Sequence, residues 1–148
     1  MITYRTYLDE PFDINKFNPI KNEWGNKPRY GLWGCTGTQW KRWCHSEDFR
    51  KCTKYFKWKL KEGSKVYIID KPEDIQYLWD NYPLNYSWAT KLCLSIDFEK
   101  LWKDGYDAVE LTENGLYSCR WMENNVMGTA SWDVPSICIF NKDVIQLL

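Results

Sequence analysis

The chain has 148 residues, 20 Lys plus Arg against 20 Asp plus Glu, and a formal net charge of zero. That length predicts one domain spanning residues 1–148 with a core of its own, and the charge balance excludes a global field that would draw the chain to nucleic acid or an anionic membrane. No apolar run approaches the roughly 20 residues that cross a bilayer, and the amino terminus lacks a charged-then-apolar leader, so a soluble, cytoplasmic protein without a membrane partner is expected.

From the amino terminus, Ile2 to Leu8 alternates and is rich in β-branched and aromatic residues, which predicts a strand with Arg5 on the face opposite to Tyr4 and Thr6. Residues 9–29 hold Pro11, Pro19, Pro28 and Gly25 and read as a long loop, of the kind that covers a cleft or meets a partner. A second strand is expected over Tyr30 to Cys35, with Thr36-Gly-Thr38 capping a helix that carries Trp40, Trp43 and Cys44 on one face. Ser46 is expected to start a further short helix. Residues 53–61 put Phe56, Trp58 and Leu60 on one face of a half-buried strand and Lys57, Lys59 and Lys61 on the other. Glu62-Gly63 turns the chain into a more buried strand over 64–70.

Pro72, flanked by acids, opens a helix with Ile75, Leu78 and Trp79 on its apolar stripe. After a loop at 81–86, a helix is expected over 96–102, ended by Asp104-Gly105, then a strand over 106–111. Asn114-Gly115 reads as a hairpin turn into a strand over 116–121, and Ser136 to Phe140 as the last strand. Strands and helices that mix without a regular repeat predict an α+β domain rather than a doubly wound parallel sheet.

Six cysteines are present, and a chain of this length builds a core without disulfides, so they are read as reduced, buried thiols. A zinc site from Cys35, Cys44, His45 and Cys52 lacks any Cys-x-x-Cys knuckle. A thiol hydrolase built on Cys35 and His45 must bring together groups ten residues apart across a strand-to-helix junction. The basic residues between Lys41 and Lys65 read as a solvated face. Ten Trp and ten Tyr exceed what packing requires, which leaves some to line a site.

Two stretches nominate that site: Tyr30-Gly-Leu-Trp-Gly-Cys-Thr36, running into Trp40 and Trp43, and Trp132-Asp-Val-Pro-Ser136 with the strand after it. Each sets an aromatic or an acid beside small residues at a strand edge. Glycine lets backbone approach a flat ligand and indole supplies a stacking face, a combination that suits a nucleotide.

The early strand with Arg5, the second strand with Gly31-Leu32-Trp33, Gly105-Tyr106-Asp-Ala-Val-Glu110, and Trp132 to Ile145 together resemble ADP-ribosyltransferases of the diphtheria-toxin type, including small bacterial and phage members. The resemblance implies a split, mixed and antiparallel sheet with short flanking helices, clamping NAD as a substrate. It implies Arg5 on the ribose or phosphates, Trp33 stacked on nicotinamide, and Thr6, Gly31, Leu32, Trp40 and Ser136 as further binding residues. Where that family carries its Glu this chain has Pro135, so Asp133 and Glu110 are the candidate catalytic carboxylates, with Glu113 behind them. The implied activity is transfer of ADP-ribose to a macromolecule, by preference a protein. The alternatives are a catalytically degenerate nucleotide- or protein-binding module of the same fold, and a single-stranded nucleic-acid binder. Net neutrality disfavours the last, as does the placing of Phe56 and Trp58 opposite the lysines.

Overall fold

The structure, a computed structural model, describes residues 2–84 and 94–148; Cys93 and the end of the expected loop at 81–86 lie outside the described residues. Strand β1 (Tyr4–Tyr7) pairs antiparallel with β3 (Tyr55–Leu60), which pairs antiparallel with β9 (Ile145–Leu147), giving a three-stranded sheet. A second, four-stranded sheet runs in the order β2 (Leu32–Gly34), β8 (Ser136–Ile139), β7 (Ala108–Leu111), β4 (Val66–Ile69). It is antiparallel except for the parallel β4–β7 pair. That pair needs a long crossover, and the connection contains α2 (Pro72–Asn81), the short β5–β6 pair (Pro83–Leu84 with Ser95–Ile96) and α3 (Phe98–Lys103). The fold is α+β, as composition and patterning predict.

Alternation decides what lies between the layers. Val109 and Leu111 of β7 and Cys138 of β8 face Ile75, Leu78, Phe98 and Leu101 of the helices. The opposite face of the same strands presents Ala108, Ile137 and Ile139 to Tyr4 and Trp58 of the three-stranded sheet. Phe56 and Leu60 join this inner layer and Lys57 is exposed, so the two faces of β3 are the expected ones.

Among the described residues, main-chain pairing between the two sheets is confined to the Arg5–Cys35 bridge, with Arg5 N donating to Cys35 O at 2.8 Å and Cys35 N to Arg5 O at 3.0 Å. Around it the seam is made by side chains. Thr6 Oγ1 donates to Trp33 O at 2.6 Å and accepts from Trp58 Nε1 at 2.9 Å. Gly34 lets the Trp58 ring lie against β2, since a Cβ there would stand 2.6 Å from Trp58 Cζ2.

Local chemistry overrides the sequence expectation in four places. The expected helix from Ser46 is absent: α1 (Gln39–Ser46) ends there, and the chain turns through Asp48 with positive φ. Asn114-Gly115 does not form a hairpin but lies in α4 (Glu113–Ser118), because the Thr112 hydroxyl accepts from Gly115 N at 3.0 Å and Asn114 Nδ2 is held by Asp70 O at 2.7 Å. Ile96 belongs to β6, and α3 starts at Phe98, where the Asp97 carboxylate caps Lys100 N. Ser136–Ile139 is not the last strand, because β9 follows and completes the three-stranded sheet.

Cys35, Cys44, Cys52, Cys119 and Cys138 are free and buried. The first three gather with Tyr7 beneath Trp40 and Trp43. Burial and a hydrogen bond between the Cys44 and Cys52 thiols that favours the protonated form push Cys44 up to about 11. No helix among the described residues is long and apolar enough to cross a membrane.

Candidate functional site

Beyond the Arg5–Cys35 bridge the strands part, and a cavity of about 600 Å³ opens at the seam, within the roughly 300–1,000 Å³ typical of small-molecule pockets. Arg5, Thr6, Gly31, Leu32, Trp33, Trp40, Asp133 and Ser136 all border it. Residues from four separate parts of the chain, nominated on sequence grounds, therefore meet at one place.

Each wall has a local cause. Tyr30 and Gly31 both have positive φ, which swings the chain into β2; a Cβ on Gly31 would stand 2.5 Å from Ile139 O. The Trp33 indole folds back to donate to Tyr30 O at 2.9 Å and meets Trp132 edge to face, with ring centroids 5.2 Å apart. Trp132 is buried and donates from Nε1 to Asn26 O at 3.0 Å, which fixes the backbone on which Asp133 stands. Asp133 is exposed between the buried Trp132 and Val134. On the α1 side, Trp40 stacks on Trp43 with centroids 5.1 Å apart.

The polar groups differ in how free they are. The Thr6 hydroxyl is committed to Trp33 and Trp58, and Ser136 Oγ donates to Val134 O at 3.0 Å, so both shape the wall more than they offer new bonds. The Arg5 guanidinium lies over the Tyr55 ring, 4.4 Å from its centroid.

Glu110 is placed elsewhere. It does not border the cavity; β7 aims it between the sheets, where it accepts from Tyr4 Oη at 2.7 Å. Burial raises its carboxyl above the ordinary range, with the Tyr4 hydrogen bond opposing that rise. Glu113 sits in the first turn of α4, exposed and outside the cavity lining. Cys35 borders the cavity, yet it is buried, burial raises its thiol, and His45 is exposed in the last turn of α1. No cluster of three or more His, Cys, Asp or Glu among the described residues is arranged to hold a metal.

The loop at 9–29 supplies what the strand patterns left out. Phe12, Lys16, Phe17, Glu23, Lys27 and Arg29 border the cavity. Lys27 Nζ donates to Ser131 O at 2.9 Å, and Arg29 stacks over Tyr30 at 4.7 Å from the ring centroid. Buried Asn26 ties this loop down, donating from Nδ2 to the Met127 and Gly128 carbonyls at 2.8 Å and accepting from Trp79 Nε1 at 3.1 Å. The available signal was two phenylalanines in a polar, proline-rich stretch that also holds Ile14, Ile20 and Trp24. With Arg5, Lys16, Lys27 and Arg29 against Glu23 and Asp133, the lining carries an excess of positive charge in a chain that is neutral overall.

No family model, curated protein or solved structure matches this chain.

Proposed function

We propose that the seam cavity binds NAD and that the protein is an ADP-ribosyltransferase-like enzyme acting on a macromolecular acceptor. The observation that carries this reading is the convergence of Arg5, Gly31, Leu32, Trp33, Trp40 and Asp133 on one aromatic-walled, cation-rich cavity where two sheets part. Indole faces suit the nicotinamide and adenine rings. Arginine suits the diphosphate because its planar fork donates two parallel hydrogen bonds to phosphate oxygens.

In the proposed reaction the bond between nicotinamide nitrogen and ribose C1′ breaks, and nicotinamide leaves with the bonding pair. The acceptor nucleophile then bonds to C1′ and releases its proton to solvent. Asp133 supplies the carboxylate that stabilises positive charge on the ribose as the bond opens, an electrostatic role suited to a fixed anion at the cavity wall. Free, buried thiols fit a reducing cytoplasmic setting for this activity.

A second reading, a nucleotide-binding module without turnover, is favoured by Pro135 at the family's Glu position and by the engagement of Glu110 with Tyr4. Thermal unfolding with NAD or ADP-ribose, followed by nicotinamide release, tests both. Ligand at about 100 times its dissociation constant adds about 2.7 kcal/mol to the native state. Stabilisation with nicotinamide release that Asp133→Ala abolishes supports the transferase. Stabilisation without release supports the module, and no stabilisation at millimolar ligand removes both.

A further inference from the structure

The outer face of the three-stranded sheet carries an unusual pairing. Arg5 of β1 stands directly opposite Lys57 of β3, and Tyr7 opposite Tyr55. Like charges directly opposed across an antiparallel pair destabilise it. Among the described residues neither cation of this pair is neutralised by a carboxylate: Arg5 rests on the Tyr55 ring, and Lys57 is exposed. Arg50 joins them, reaching back to donate to Tyr7 O at 3.2 Å. Tyr55 is 45 % exposed on the same face, so an aromatic platform lies among the cations even though Phe56 and Trp58 point inward.

We propose that this face binds a single strand of nucleic acid, with phosphates along Arg5, Lys57 and Arg50 and a base stacked beside Tyr55. The anionic backbone turns the Arg5–Lys57 repulsion into a shared attraction. An exposed ring among cations on a sheet face matches the way open sheets take unstacked bases, which need a π-face and positive charge along the path of the backbone. An acidic peptide would satisfy the charges but brings no ring to stack on the part of Tyr55 that Arg5 leaves exposed. The inference goes beyond the nucleotide cavity, with which this face shares Arg5, so NAD in the cavity would compete for one of the three cations.

The test is fluorescence anisotropy of the full chain with a labelled oligothymidylate, without NAD, across a salt series, with labelled polyglutamate as the rival polyanion. Oligothymidylate is expected to bind and to weaken with salt, and Lys57→Ala to flatten the slope of log K against log salt by about 0.7. Lys57→Glu and Tyr55→Ala should each weaken binding about tenfold or more, the latter through lost stacking. Both positions are exposed, and Lys57→Glu places an acid opposite Arg5, so its melting temperature should not fall. No binding at low salt, binding indifferent to Lys57→Glu and Tyr55→Ala, or equally tight binding of polyglutamate would each overturn the proposal.

Discussion

Tyr4 and Glu110 join the two sheets from the inside, the phenol donating to the carboxylate at 2.7 Å in an apolar layer that includes Trp58, Ala108, Ile137 and Ile139. Burial raises the Glu110 carboxyl, and the hydrogen bond from Tyr4 works against that rise. The folded chain therefore holds this proton more tightly than the unfolded chain does. The group's contribution to stability is most favourable below the unfolded value and declines as pH climbs through the raised folded value. Glu110→Gln should flatten this part of the pH dependence in urea unfolding. Tyr4→Phe should lower stability by about 1–3 kcal/mol at neutral pH and by less on acidification. Equal losses for Tyr4→Phe at both pH values would show that the hydrogen bond to a charged group is not what matters.

Thr6 is expected to be the most sensitive small side chain at the seam. Thr6→Val keeps the shape but takes the acceptor from Trp58 Nε1, whose ring is fully buried, and the donor from Trp33 O. An unpaired buried donor costs about 1–3 kcal/mol, while Thr6→Ser, which retains the oxygen, should cost less. Denaturant midpoints for the two variants separate the hydroxyl from the methyl.

Gly34→Ala should destabilise through Trp58 alone, since the Gly34 backbone is not left-handed and the nearest obstacle to a Cβ is Trp58 Cζ2. Overpacking of this kind costs about 1–3 kcal/mol. Trp58→Phe removes the offending ring edge, so the double variant should be more stable than the sum of the two losses allows. Strict additivity would place the strain somewhere else.

Asn26→Ala should release the loop wall of the cavity. The change unpairs Trp79 Nε1 and the Met127 and Gly128 carbonyls, so a loss of at least about 2 kcal/mol is expected. Amide hydrogen exchange should quicken at Lys21 and Arg29, whose main chains bond each other, before it quickens in β7 or β8. Uniform quickening throughout the chain would mean that Asn26 supports the whole fold and not the loop.

How much of this was legible in advance depended on the range of the forces involved. The alternation of β1 and β3 and the proline-and-acid start of α2 are local signals, and those elements form as read. Trp33 and Asp133 could be nominated because each sits beside small residues at a strand edge, and Arg5 from the resemblance to ADP-ribosyltransferases; all three border one cavity. Glu110 could not be placed, because alternation says that it faces one side of β7 but not what covers that side. Asn114-Gly115 carries a strong turn signal, yet Thr112 three positions before Gly115 is an equally local helix cap, and the bond from Asn114 to Asp70 decides between them. Asn26 gave no signal at all: its side-chain partners lie 53 to 102 positions away, and nothing nearby marks it as the anchor of the loop.

The seam has one more consequence. Each sheet takes its register from its own ladder, while among the described residues a single pair, Arg5 with Cys35, ties one ladder to the other. The gap between the sheets is therefore set by side-chain size at Thr6, Gly34 and Trp58 and not by strand alignment. Such a molecule can be refitted to a wider or narrower guest by exchanging a few seam residues, with every strand left in register. That makes the scaffold a natural starting point for selecting variants against ligands of different girth.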